Sequence, residues 1–351
     1  IKDAAKKAID NGFTKYTPVS GIPSLKKAII EKFKRDNNLE YGLNEVIVGV
    51  GGKQCVFNFC LAVLNSGDEV IIPAPYWVSY ADIALVSDAK PIIVECGIEQ
   101  KFKMTASQLE KVITPKTKLV ILNSPSNPTG AVYSKEELTS LADVLIKHPN
   151  ILIGTDDMYE HVKLKDMPFF NILNVNPALK DRCVVMNGVS KAYSMTGWRI
   201  GYAAGPSYII KAMEILQSQS TSNPTSISQI AAEAALSGDQ ACMDPMIKAF
   251  RERHAYVVKS FNEIPGLSCI EAEGAFYAFP DARKAIEHLF NQKVLKEKTD
   301  LALADYLLEK EGVAVVPGSA FGSDGYFRIS FATSMENLIE AMKRIKRALS
   351  V

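Results

Sequence analysis

Between residues 45 and 186, short apolar runs of strand character alternate with helical patterns, and few architectures accept such an order. Runs at 45–50, 70–72, 91–94, 118–122, 151–154 and 183–186 read as strands, with helices at 53–64, through Tyr80 and Leu85, and at 135–147. A strand, a helix and a further parallel strand make a right-handed crossover, so the pattern predicts a largely parallel sheet with helices on both faces. Helical patterns continue at 226–237 and 246–262. After Pro265-Gly266 the character changes: strands at 268–270, 275–279, 313–316 and 327–331 mix with helices at 301–310 and 335–349. A chain of 351 residues is long enough for two domains, at roughly 100–200 residues each. The expectation is an α/β fold with a large domain over 1–252 and a smaller α+β domain over 253–351.

Open parallel sheets bind ligands beyond the carboxyl ends of their strands, so the segments that follow the strands are where chemistry is sought. The run Asn187-Gly188-Val189-Ser190-Lys191-Ala192-Tyr193-Ser194-Met195-Thr196-Gly197-Trp198-Arg199 sets Lys191 among small and hydroxyl residues, with Arg199 eight positions on. That grouping suits a phosphate-bearing aldehyde cofactor, whose aldehyde would bond to the amine and whose phosphate the guanidinium would clamp. Most lysines are solvated surface residues, so Lys191 alone decides nothing.

Other segments supply the remaining parts. Gly49-Val50-Gly51-Gly52-Lys53-Gln54 follows a strand and opens a helix, where glycines let backbone N–H groups approach an anion. It lacks the spacing of a phosphate-binding P-loop, and an ordinary tight turn is the alternative. Lys53 in a first helical turn opposes the macrodipole, which makes sense if an anion sits there. In Pro73-Ala74-Pro75-Tyr76-Trp77-Val78, Trp77 would stack on an aromatic cofactor or simply fill core. Asn127, in Asn123-Ser124-Pro125-Ser126-Asn127-Pro128-Thr129-Gly130, is restrained by the proline after it, as in any rigid turn. Asp156 and Asp157 end a strand in Thr155-Asp156-Asp157-Met158-Tyr159-Glu160. Buried carboxylates there need a cation, which a protonated pyridine would supply, unless they merely cap a helix. Arg328 lies inside Tyr326-Phe327-Arg328-Ile329-Ser330-Phe331, either turned to solvent or buried against a carboxylate that its planar fork would bind bidentately.

Forty basic and thirty-nine acidic residues leave a net charge of +1, which argues against a nucleic-acid or anionic-membrane partner. No apolar stretch reaches the roughly 18 residues of a membrane span, and 1–9 is an amphipathic helix pattern rather than a signal peptide. The six cysteines form no C-x-x-C pair and read as buried free thiols of a reducing cytoplasm. The four histidines have no metal-ligand spacing with them, so no metal is expected.

Taken together, these segments resemble the class I pyridoxal-phosphate aminotransferases of fold type I, most nearly the bacterial aspartate aminotransferases. The most specific pieces are Ser126-Asn127-Pro128-Thr129-Gly130, Asp156-x-x-Tyr159-Glu160, and Ser190-Lys191 through Trp198-Arg199-Ile200-Gly201, in an order that spans nearly the whole chain. The resemblance implies a mostly parallel seven-stranded sheet in the large domain and pyridoxal 5'-phosphate as cofactor. It implies that Lys191 holds the cofactor covalently and that Asp156 pairs with the pyridine nitrogen. Tyr159 and Asn127 would bond the ring oxygen, and Trp77 would stack on the ring. Gly52, Lys53, Arg199 and Ser190 would surround the phosphate. Tyr16 would reach the phosphate of a second subunit in a homodimer, and Arg328 would grip the substrate α-carboxylate.

The same resemblance implies ping-pong amino transfer between L-aspartate and 2-oxoglutarate. One dicarboxylate subgroup reads the distal carboxylate with an arginine from the partner subunit. The matching position here is Ser218, a departure, and in the subgroup this chain most resembles Lys53 takes over that task. Relatives with similar motifs also accept prephenate. A β-lyase or synthase of the same fold type, and a non-catalytic sensor of the cofactor, are the competing readings. Family members begin with an additional segment of a few dozen residues that covers the site, and an upstream segment is expected here because the chain opens in mid-helix without methionine.

Overall fold

The computed structural model describes residues 1–350. Seven strands form the main sheet: β1 Val46–Gly49, β2 Glu69–Ala74, β3 Lys90–Glu95, β4 Thr117–Asn123, β5 Leu152–Asp156, β6 Cys183–Gly188 and β7 Gly201–Ala204. Their spatial order is β1-β7-β6-β5-β4-β2-β3. The pairs β2–β3, β2–β4, β4–β5 and β5–β6 are parallel, while β7 runs antiparallel to both of its neighbours. The fold is α/β with a mostly parallel sheet, as the alternation predicts.

Alternate residues of each strand face opposite layers, because the side-chain period of a strand is two. Ile47, Val184 and Met186 pack with Val56, Phe59 and Met213 on one face. Val46, Val48, Cys183 and Val185 pack with Leu25, Ile29, Phe33 and Leu141 on the other. Helices Gly52–Val63 and Ser207–Ser218 therefore cover the first face, and Pro23–Asn37, Lys135–Leu145 and Ser226–Ser237 the second. Burial on both faces is what makes these strands read as continuous apolar runs.

A second sheet, β8 Tyr277–Ala278, β9 Val316–Pro317 and β10 Phe327–Ser330, has β10 in the middle and is wholly antiparallel. Its core takes Phe250, Val257 and Phe261 from helix Asp244–Asn262, Leu303 and Leu307 from Asp300–Glu311, and Leu338, Met342 and Ile345 from Met335–Leu349. The spacings of three, four and seven put each set on one helical face.

Helices Pro23–Asn37, Ala106–Val112, Ser207–Ser218 and Arg283–Asn291 add to those expected, and three strands differ from expectation. Strand β7, Gly-Tyr-Ala-Ala, carries no β-branched residue and was hidden in the lysine run. The segment 268–270 makes only an isolated bridge from Ser268 to Asp281, and the 313–316 run pairs only at its end, in β9. Of the cysteines, five are buried, but Cys242 is exposed in the turn Gln240–Met243, which corrects the reading of all six as buried. No helix among the described residues is long and apolar enough to cross a membrane.

Candidate active site

The carboxyl ends of β4, β5 and β6 open onto one cavity of about 340 Å³, lined among others by Gly52, Lys53, Trp77, Asn127, Asp156, Tyr159, Ser190, Lys191, Arg199 and Arg328. Ten of the eleven sequence-selected residues thus meet in one place. Tyr16 is the exception, 92% exposed.

Asp156 is the last residue of β5 and is buried. Tyr80 donates its hydroxyl proton to Oδ2 over 2.6 Å, and the Met158 N–H donates to Oδ1 over 3.2 Å. Burial pushes the carboxyl above its ordinary value, opposed by those two hydrogen bonds and the Lys191 charge. A cation brought to this carboxylate would relieve the same desolvation.

Lys191 follows β6 at the rim of the cavity, half-buried, with Nζ 5.4 Å from the ring centre of Phe276 and 5.7 Å from that of Tyr159. Burial, then the Arg328 charge, lowers its pKa, with Asp156 acting the other way. Desolvation therefore raises the fraction of free amine, the form that attacks a carbonyl.

Gly51, at φ 83°, turns the chain into helix Gly52–Val63. A Cβ on Gly51 would collide with the Arg199 guanidinium, and one on Gly201 with the backbone N of Gly52, so loop, β7 and arginine are in direct contact. Arg199, itself at φ 58°, donates from Nη1 to the Thr196 carbonyl at 2.9 Å. The guanidinium and the free N–H groups of the helix start form an anion cradle in the cavity lining. Lys53 Nζ lies 5.0 Å from the ring centre of Trp77, and that ring meets Tyr80 edge-on at 5.3 Å.

Arg328, which also lines the cavity, donates from Nη1 to Asn127 Oδ1 at 2.8 Å. The Asn127 N–H donates to Asn123 Oδ1 at 2.8 Å, and Asn123 Nδ2 to the Asp156 carbonyl at 2.8 Å. The Arg328 Nε is buried without a hydrogen-bond partner. A buried donor left unpaired costs about 1–3 kcal/mol.

Sequence reasoning missed Tyr80, Asn123 and Tyr277, which also line the cavity. Tyr80 stands three residues after Trp77, and Tyr277 lies in the expected 275–279 strand; both were legible as elements, not as site residues. Away from the cavity, ligand-capable atoms of Asp36, Glu160 and His161 lie within 4.8 Å of one another. The buried Lys32 ammonium is bonded to Glu160 there, so the cation in that cluster is the protein's own.

The family of aminotransferases class I and II matches residues 1–345. This chain belongs to that family. The aspartate/prephenate aminotransferase of Nitrosomonas europaea is 61% identical over 350 residues, which are 100% of this chain and 88% of that protein. Among solved structures, the aspartate aminotransferase from Rhizobium meliloti superposes with a TM-score of 0.94 at 48% identity, over 99% of this chain and 87% of that one. An aspartate aminotransferase from Thermus thermophilus with maleate has a TM-score of 0.90 at 40% identity, over 99% and 87%. The fold is thus that of the family, and the competing sensor reading gives way to a transaminase.

The cavity's donor set fits the cofactor of the family. It combines an anion cradle, an aromatic face, an amine of lowered basicity and a buried carboxylate. Its volume lies within the roughly 300–1,000 Å³ of small-molecule sites.

Proposed function

We propose that this cavity takes pyridoxal 5'-phosphate on Lys191 and transfers the amino group of L-aspartate to 2-oxoglutarate, giving oxaloacetate and L-glutamate. The observation that carries the reading is the convergence of Lys191, Asp156, Arg199 and Arg328 on one cavity from four separate segments. The cofactor, when bound, supplies an electron sink that no side chain offers.

The chain's own residues do the rest. The Lys191 amine would hold the aldehyde of the cofactor covalently, and as a free amine of lowered basicity it would serve as the base for the proton of the substrate α-carbon. Asp156 would pair with the protonated ring nitrogen, and Tyr80 and the Met158 N–H aim the carboxylate and oppose the burial that favours its neutral form. Tyr159 and Asn127 would hydrogen-bond the ring oxygen, and Trp77 would cover the ring. Gly52, Lys53, Ser190 and Arg199 would hold the phosphate. Arg328 binds the α-carboxylate, and Lys53 reads the distal one, Ser218 being engaged with the Ile215 carbonyl. The exposure of Tyr16 supports its reaching into the site of a second copy in a homodimer.

The division into 1–252 and 253–351 belongs to this reading and is supported by two separate apolar cores, with helix Asp244–Asn262 crossing the boundary. So does a cytoplasmic location, supported by six free thiols. Prephenate is a second amino acceptor, on the strength of the relatives named for it.

The test is an absorbance spectrum of the protein incubated with the coenzyme, then titrated with L-aspartate and with L-alanine. A visible band that shifts with aspartate and not with alanine supports the reading. A colourless protein, or equal response to both amino acids, overturns it. Steady-state rates with 2-oxoglutarate and with prephenate then rank the two acceptors.

A further inference from the structure

Tyr277 lines the cavity and touches two of its other residues, Tyr159 and Arg328. Its hydroxyl lies 2.7 Å from the Tyr159 hydroxyl, both buried, and either is able to donate. Its ring lies under Arg328, whose Cζ is 4.5 Å from the ring centre. The second sheet explains the ring contact. Tyr277 in β8 faces Ser330 in β10, and Arg328, two residues from Ser330, projects from the same side of the pleat. Phe321 flanks Arg328 as well, with its ring centre 4.9 Å from Cζ.

We propose that Tyr277 is a positioning residue that serves two residues of the site: its hydroxyl directs the Tyr159 proton, and its ring holds the Arg328 fork. The proposal rests on the reading of the cavity as a pyridoxal-phosphate site. Two hydroxyls 2.7 Å apart share a single hydrogen bond, so only one of them donates to the other. When Tyr159 gives its proton to a ring oxygen of the cofactor, Tyr277 has to be the donor to Tyr159. A phenol that accepts one hydrogen bond donates a stronger one, so Tyr277 polarises the contact that Tyr159 makes. The ring acts separately. A guanidinium over an aromatic face keeps its plane parallel to that face, which leaves its N–H edge free for a carboxylate.

The two functions separate on substitution. Tyr277→Phe keeps the ring and removes the hydroxyl; Tyr277→Leu removes both. In the coenzyme-loaded protein, the pH midpoint of the visible absorption band should rise in Tyr277→Phe by roughly half a unit to one unit, the effect of one neutral hydrogen bond. Its KM for aspartate should stay within about twofold, since the cation–π contact survives. Tyr277→Leu should show the same displaced midpoint and a KM raised roughly threefold to thirtyfold. A midpoint unmoved in Tyr277→Phe overturns the role of the hydroxyl, and a KM unmoved in Tyr277→Leu overturns that of the ring. Failure of the unsubstituted protein to bind the coenzyme would instead overturn the underlying reading, and is seen before either variant is made.

Discussion

Arg328 and Asn127 are joined by a 2.8 Å hydrogen bond from Nη1 to Oδ1, which ties the second sheet to the loop after β4. The remaining edge of the guanidinium has no partner at Nε. Nη1 therefore fixes the orientation of a guanidinium that lines the cavity. Arg328→Lys keeps the charge and loses the planar pair of donors, so KM for aspartate and for 2-oxoglutarate should both rise by roughly tenfold to a hundredfold. Steady-state kinetics over both substrates measure it, and a KM unchanged for either would remove Arg328 from the carboxylate site.

Tyr80 meets Asp156 at 2.6 Å and supplies one of the two hydrogen bonds that oppose the effect of burial. Tyr80→Phe leaves the ring against Trp77 and takes away the donor, which drives the Asp156 carboxyl still further toward its neutral form. A neutral carboxyl no longer holds a protonated ring nitrogen. The Kd for coenzyme should rise about tenfold, read by quenching of tryptophan fluorescence. A Kd matching that of the unsubstituted protein would show that the Met158 N–H alone suffices.

Lys191 combines lowered basicity with a place in the cavity lining, as covalent capture requires. Lys191→Ala should bind coenzyme only reversibly, with no borohydride-stable adduct by intact mass, and amino transfer should fall by about 10⁴-fold. An adduct persisting in this variant would assign the capture to Lys53 or another amine.

The order of strands and helices was legible because burial on both sheet faces leaves apolar runs such as Val184-Val185-Met186. Strand β7 was not, since Gly201 is dictated by contact with Gly52, a tertiary demand without local signature. The site residues followed the same division. Lys191, Asp156 and Arg328 stand out as charges inside apolar or small-residue segments, where burial needs a reason. Tyr80 and Tyr277 have side chains that a core accepts as readily as a site does. Their roles rest on where a hydroxyl points, and that is settled by the packing of separate segments.

Lys32 and Glu160 form an ion pair buried under the sheet, with Asn37 and Asn187 donating to the same carboxylate at 2.6 and 2.8 Å. Asn187 lies four residues before Lys191, so the pair supports the segment that carries the amine. Lys32→Met strands a buried carboxylate and should cost about 3–5 kcal/mol in denaturant unfolding. The double variant Lys32→Met/Glu160→Gln should regain most of that loss, because the uncompensated charge is gone. Equal destabilisation in both would mean that packing, and not charge, is what Lys32 provides.

His254 supplies a pH dependence of stability whose direction follows from one hydrogen bond. The Ala272 N–H donates to its Nε2 at 3.0 Å, so that nitrogen has to be unprotonated in the folded chain. Burial is the main cause that lowers its pKa from 6.5 to about 4, with Glu271 opposing and Lys165 assisting. Between those values the unfolded chain binds a proton that the folded chain refuses, so stability declines as pH falls from 6.5 to about 4. The full span corresponds to about 3 kcal/mol, reached only below the lower value. His254→Gln, which keeps a side-chain acceptor for the Ala272 N–H and does not titrate, should flatten the slope of unfolding free energy against pH in this window. Denaturant melts at pH 6.5, 5.5 and 4.5, pH values chosen from that window, give the slope. An identical slope in variant and parent would place the acid sensitivity elsewhere and leave His254 a packing residue against Phe331.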